Sequence, residues 1–325
     1  MYDIALFVLL QRLLITSVKI QNNVIFAGYC LLRADQTTDT IIIHTMKIKS
    51  TLLTIAALTG AIAAITACGR GTTTEVQDPE SKYVTDEYGV VRCVDTTSKT
   101  IYLVFTAHYS VNDSGRFENF DGIVPVLDIL KEKGVKGSFF PTGNCFRVEK
   151  YQEPIRRIID EGHYLSAHSD HHLLLCTEDD KRETLVPADS LAKDIAGMEA
   201  ELERFGLEKS QFCWMIPPYE YYNQETADGL RSLGYKLCNH TDGLETSLDW
   251  MGPEASNYCP ASRLVQNIWD FEEASATGLN GCILLVHAMN YPDRTDEDRT
   301  YNHLGEIIDG LRERGYDFKT FKDLL

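Results

Sequence analysis

The alternation of short apolar runs with amphipathic stretches constrains this chain more than any other feature. Residues 90–94 and 101–105 are apolar runs separated by a turn-like Asp95-Thr96-Thr97-Ser98, the pattern of short buried strands. Residues 123–133 place Ile123, Val126, Leu127 and Leu130 on one helical face and stop at Gly134, as an amphipathic helix with a glycine C-cap does. A strand follows at 137–140. Further helices are expected at 153–161, 190–205, 223–233, 262–274 and 301–314, with strands near Tyr164 and at 212–216, 235–238, 283–286 and 316–318. Six or more strand–helix units without a Pro/Gly-rich linker predict one α/β domain whose parallel sheet closes as a barrel. With 325 residues and 44% apolar content the chain can bury a large core.

Within that frame one stretch carries chemistry: His168-Ser169-Asp170-His171-His172. Histidines four apart on a helical turn stack on one face, with Cβ atoms about 6 Å apart, and both imidazoles can reach one cation. Residues 158–167 read as a helix end, a glycine cap at Gly162 and a short buried strand, which puts His168 at a strand's C-terminal end. That edge is where sites collect in α/β folds. A net charge of −17 argues against nucleic acid or an anionic membrane surface as partner, because a phosphate backbone requires a basic footprint. The nine cysteines include no CxxC pair, so a structural zinc scaffold is excluded.

The first 67 residues read as leader. Lys47 and Lys49 form a positive start, residues 52–64 an uncharged apolar stretch, and Ile65-Thr66-Ala67-Cys68 closes it with small residues before a cysteine. This resembles a bacterial lipoprotein signal, which implies cleavage before Cys68 and lipidation of its thiol. A transmembrane helix is the alternative, and the run is short for one. Residues 1–45 precede a complete signal and read as an extension from a start placed too far upstream. Residues 68–87, Thr-rich and polar at first, read as a tether, and 88–325 as the functional domain.

Four strand ends carry polar residues that could converge: Phe105-Thr106-Ala107-His108, His168 to His172, Ile216-Pro217-Pro218-Tyr219-Glu220, and Leu285-Val286-His287. In this order they resemble the polysaccharide deacetylase (NodB-homology) family, carbohydrate esterase family four, over residues 88–325. The resemblance implies a distorted (β/α)7 barrel, a divalent metal with zinc preferred, and hydrolysis of N- or O-linked acetyl groups on an acetylated glycan. On that resemblance His168 and His172 are metal ligands. His287 is the general acid and Leu285 helps line the acetyl pocket. Asp249 orients His287, Trp250 forms a pocket wall, and the Tyr219 backbone N–H helps bind the oxyanion.

The departures are equally informative. Where the family has Thr-Phe-Asp-Asp, this chain has Phe105-Thr106-Ala107-His108, so the base is missing at Ala107 and His108 stands at a ligand position. Ile216 replaces an Arg that pairs with that base; losing both together is coherent, since an orphaned buried Arg would cost several kcal/mol. Glu220 replaces a Gly and is a candidate substitute base. Three neutral imidazoles leave the charge of a zinc ion uncompensated, which lowers a bound water's pKa to about 7.

The function expected is therefore a lipid-anchored, metal-dependent deacetylase of the bacterial cell envelope, facing the periplasm or the cell surface. The alternatives are an inactive glycan-binding lipoprotein that keeps the metal, and a structural envelope protein without one. The leader makes one prediction: intact mass of the membrane-extracted protein should show a chain beginning at an acylated Cys68. A chain beginning at Met1, or a soluble unlipidated product, would refute it.

Overall fold

The computed structural model describes residues 82–109, 119–179, 181–291 and 293–325. The upstream extension, the signal and the Cys68 anchor lie outside the described residues. Among those described, no helix is long and apolar enough to cross a membrane. Among the described residues, the first element lies inside the stretch expected to be tether: Val84–Thr85 form β1, antiparallel to β2 at Val91–Cys93. The Tyr83 ring also meets Trp214 edge-on, with centroids 5.8 Å apart.

The central element is β3, Thr100–Ala107, in which every residue is buried. Its apolar sequence on both faces suits a strand covered on both sides. Running parallel to it are β4 (Ser138–Pro141), β8 (Ile283–His287) and β9 (Asp317–Lys319). Next to β4 lies β5, Tyr164–Leu165. A separate parallel pair joins β6 (Trp214–Met215) to β7 (Lys236–Leu237). Single pairings bring the pieces together, Ala167 to Met215, Val91 to Cys238 and Cys93 to Cys282. The α/β class and parallel sheet are as expected, but among the described residues no continuous ladder closes the ring. Strands β5, β6 and β7 have two residues each, too few to hold a ladder on both edges.

Helices cover the outside of the sheet. In chain order they are α1 (Ile123–Lys133), α2 (Gly143–Phe146), α3 (Glu149–Asp160), α4 (Ala188–Arg204), α5 (Gln224–Ser232), α6 (Ala261–Ala274) and α7 (Leu304–Glu313). Gly134 ends α1 in the left-handed region at φ 62°, which glycine adopts without a Cβ penalty. Helix α5 starts on a reciprocal cap, in which the Asn223 side chain accepts the Thr226 N–H (2.9 Å) and Thr226 Oγ1 accepts the Asn223 N–H (3.0 Å).

Side-chain alternation divides the core. Tyr102 and Val104 of β3 join Ile283 and Leu285 of β8, Phe140, Trp214 and Phe321 in an inner cluster. Ile101, Leu103, Phe105 and Ala107 belong instead to the cluster that includes Val126 and Leu130 of α1. Register partners on parallel strands share a face, and Thr106 pairs with His287. The inner row of β3 therefore ends at Thr106, and that of β8 at His287.

The histidine loop after β5 is held from two sides. The Gly143 and Asn144 N–H groups at the start of α2 donate to the carbonyls of Ser169 (3.0 Å) and Asp170 (3.1 Å). A Cβ on Gly143 would fall 1.9 Å from Asp170 Oδ1, so only glycine admits this approach. From α4, the Asp194 carboxylate accepts the N–H groups of Asp170 (2.8 Å) and His171 (3.0 Å). Asp194→Ala would orphan both amides at about 1–3 kcal/mol for each that stays buried. We expect a lower urea midpoint with an unchanged m-value, and a smaller loss for Asp194→Asn, which keeps one acceptor oxygen.

Candidate active site

The strand ends open into a cleft of about 950 Å³ lined by His108, His168, His172, Tyr219, Glu220, Trp250 and His287. Leu285 is not among them. It lies in the inner row two residues below His287, fully buried against Phe140 and Trp214 in the same cluster, so it packs the barrel interior beneath the cleft floor.

His168 and His172 do not sit on a helical turn. They flank a loop in which Ser169 (φ 64°) and His172 (φ 56°) are left-handed, and Ser169 Oγ accepts the His172 N–H at 2.9 Å. The ring centroids of His168 and His172 are 5.0 Å apart, and those of His108 and His172 are 4.3 Å apart. The three predicted ligands are thus brought together, by a loop rather than by helical periodicity. His168 Nδ1 lies 2.8 Å from the Ile216 carbonyl. A carbonyl can only accept, so Nδ1 carries the proton and Nε2 keeps its lone pair. Burial pulls the His168 imidazole down to about 3, against the Ile216 hydrogen bond. Burial, with His168, His108 and His287 nearby, pulls His172 well down too.

Neutral imidazoles are suitable donors for a divalent cation. His172 Nδ1 is buried with no hydrogen-bond partner among the described residues, as a ligand atom would be. In chemistry the donor set fits a divalent metal. The arrangement is not a finished cage: among the described residues no three His, Cys, Asp or Glu side chains are disposed to hold an ion. The planes of His108 and His172 are 20° apart with the rings stacked, so their in-plane lone pairs lie in nearly parallel planes, and ring rotation is required before they converge.

Across the cleft, Asp249 holds His287 twice. Its Oδ1 accepts the ring Nδ1–H at 2.6 Å and its Oδ2 accepts the His287 backbone N–H at 2.9 Å. The Asp249 side chain is 3% exposed and sits in a one-turn helix, Ser247–Trp250, preceded by Thr246, whose hydroxyl donates to the Leu285 carbonyl at 2.7 Å. Burial pulls the His287 imidazole down, but Asp249 and Glu220 together outweigh it and the net shift is upward. His287 lines the cleft, and with Nδ1 bonded to Asp249 its Nε2 is the ring nitrogen left for other chemistry.

The turn after β6 completes the wall. Tyr219 (φ 58°) and Glu220 (φ 59°) are both left-handed, and the Tyr219 ring stacks on His172 with centroids 4.2 Å apart. All five left-handed non-glycine residues described either line the cleft, as His172, Arg182, Tyr219 and Glu220 do, or lie in the histidine loop, as Ser169 does, the usual place for backbone strain. Burial raises the Glu220 carboxyl, opposed by His287 and Arg92 and reinforced by Asp249.

Sequence reasoning missed three contributors. Arg92 of β2 lines the cleft and its guanidinium donates to Tyr222 Oη at 3.1 Å and pairs with Asp242. Thr106 also lines it, its hydroxyl buried without a hydrogen-bond partner among the described residues, while Ala107 packs with the outer cluster. Alternation along β3 makes Thr106, not Ala107, the residue in the inner row. Asp194 was invisible because it acts from a helix distant in sequence. The strict alternation of 101–107 was the signal available for Thr106.

Residues 94–238 match the sequence profile of the polysaccharide deacetylase family, a span that holds the histidine loop and the Tyr219–Glu220 turn but ends before Asp249 and His287. The peptidoglycan-N-acetylmuramic acid deacetylase PdaA of Bacillus subtilis is 26% identical over 243 residues, 74% of this chain and 76% of that protein. Its solved structure, described as a family 4 carbohydrate esterase, superposes with a TM-score of 0.53 at 25% identity, covering 73% of this chain and 85% of that one. A peptidoglycan-N-acetylglucosamine deacetylase of Bacillus cereus is 25% identical over 62% of this chain and 80% of its own. Over residues 94–238 the sequence resembles the polysaccharide deacetylase family, and the fold is similar to that of a family 4 carbohydrate esterase.

Proposed function

We propose that this protein hydrolyses acetyl groups from a carbohydrate, with His287 as general acid and Glu220 as general base. The observation that carries the reading is the His287–Asp249 pair, whose carboxylate fixes both the ring and the amide of the acid. The names of the relatives, deacetylases of peptidoglycan sugars, support an N-acetylated glycan as substrate. The lipobox-like Ile65 to Cys68 supports an anchor at the bacterial envelope, where such a glycan is at hand.

Glu220 takes a proton from the attacking water as its oxygen bonds to the acetyl carbonyl carbon. The Tyr219 N–H is the donor assigned to the oxyanion that forms. His287 then passes its Nε2 proton to the leaving nitrogen or oxygen as the bond to the carbonyl carbon breaks, giving acetate and the free sugar amine or alcohol. A divalent metal held by His108, His168 and His172, zinc preferred, would polarise the carbonyl and acidify the water. Trp250, 39% exposed at the cleft mouth, offers a face for a sugar ring.

A second reading is favoured by one observation: the β3 end offers the cleft Thr106 and Ala107 but no carboxylate. On this reading the chain binds the glycan without turning it over. Acetate release from acetylated glycans by the metal-loaded protein separates the two, because a binder retains the glycan and releases no acetate.

Three outcomes are expected if the catalytic reading holds. His287→Ala should lower kcat by roughly 10²- to 10⁴-fold with unchanged circular dichroism and metal content, and Glu220→Gln should lower it less. The pH profile of kcat/KM should fall on the alkaline side above the ordinary imidazole range, because His287 must keep its proton and its shift is upward. It should fall on the acid side above the ordinary carboxylate range, because Glu220 must lose its proton and its shift is also upward; Glu220→Gln should abolish that acid limb. Full activity in Glu220→Gln would remove Glu220 from the mechanism.

The metal assignment is tested separately by elemental analysis. His168→Ala and His172→Ala should each lose bound metal, and His108→Asp should retain it. Stoichiometric metal in His172→Ala would mean that the ion sits elsewhere.

A further inference from the structure

We infer that Cys93 and Cys282 form a disulfide that staples β2 to the start of β8. The two residues face each other in an antiparallel pairing. The Val94 N–H donates to the Gly281 carbonyl at 2.9 Å, so the bond falls between the flanking residues and the cysteines occupy a non-hydrogen-bonded position. In such positions Cα atoms approach to about 4.5 Å and side chains lie closest, inside the range that a disulfide spans.

The local backbone is built for this proximity. Gly281 is left-handed at φ 69°, and a Cβ there would lie 2.4 Å from the Asp95 nitrogen, so any other residue would push the two strands apart. Cys93 Sγ points across the pairing, 3.2 Å from the Asn280 carbonyl. Both cysteines are buried, at 6% and 3% exposure, and their thiols are within hydrogen-bond reach of each other. That hydrogen bond draws the Cys282 thiol downward against burial and lifts the Cys93 thiol. The other described cysteines occur in no such pairing.

The chemistry is thiol–disulfide exchange with a small disulfide as oxidant. The Cys282 thiolate attacks one sulfur of oxidised glutathione, forms a mixed disulfide and expels one glutathione thiolate. The Cys93 thiolate then attacks the Cys282 sulfur, closing the protein disulfide and expelling the second. The two cysteines lose two electrons, the glutathione disulfide gains them, and the two thiol protons leave with the glutathione thiols. Burial requires that exchange occur during folding or local opening of the β2 segment.

The pairing would close the side of the ring where the ladder is interrupted, and it stands whether or not the cleft turns over acetyl groups. The test uses the full-length chain, reduced, denatured and refolded with oxidised glutathione, then alkylated and digested. The expected result is a protein lighter by two hydrogen atoms and one reductant-sensitive cross-link joining the peptides of residues 93 and 282. Its unfolding temperature should exceed that of the reduced form by roughly 5–15 °C. Cys93→Ser and Cys282→Ser should each abolish the cross-link and leave the partner thiol open to alkylation. Stable glutathionylation without a cross-link, cross-linking of either residue to another cysteine, or both thiols alkylated in the folded wild type would overturn the proposal. Peptide mapping of the wild type decides the matter even if a variant fails to fold.

Discussion

The site depends on the parallel alignment of the strands around Thr100–Ala107. Because β4 and β8 run with β3 and β5 runs with β4, their C-terminal ends lie at one edge, and the chain leaves the sheet there with His108, His168 and His287. An antiparallel neighbour would have sent its polar terminus to the opposite edge. The Tyr219–Glu220 turn joins them through the single pairing of Ala167 with Met215. This convergence needs no long-range polar network within the sheet, only burial of β3 on both faces.

What the sheet cannot do is shape the loops, and buried acids do that. Asp170 accepts from Arg147 at 2.6 Å while Asp194 accepts from the backbone of the same loop. Two left-handed non-glycine residues in the loop, Ser169 and His172, each cost of order 1–2 kcal/mol, comparable to what a few charge-assisted hydrogen bonds return. The negative charges that dominate the composition are in this way partly structural. They stand behind the histidines, where they complement backbone amides and an arginine.

The ordered strand ends were legible in the sequence because each combines an apolar run with a polar stop, and His287 with Asp249 met as the resemblance implied. The histidine spacing pointed to residues that the fold does bring together, but through a wrong local structure, since a four-residue offset is also bridged by a loop containing two left-handed residues. Leu285 lies one layer below the cleft lining, because proximity in sequence to His287 says nothing about depth along a buried row. The same period-two logic moves attention from Ala107 to Thr106. Barrel closure was not legible, because short apolar runs show that strands exist but not whether two-residue strands can carry ladders on both sides. Asp194 is one acid among 48 Asp and Glu residues, and only the fold singles it out.

The double hold of Asp249 on His287 has a dynamic consequence. An imidazole tethered through its ring alone can swing about its side-chain bonds, and its proton then samples a volume set by rotamer freedom. Here the same carboxylate also holds the amide at the end of β8, so displacing the ring relative to Asp249 means displacing a strand laddered to β3 over five residue pairs. A proton on Nε2 thus inherits the positional spread of the sheet. A donor so confined gives up little orientational entropy when a leaving group arrives.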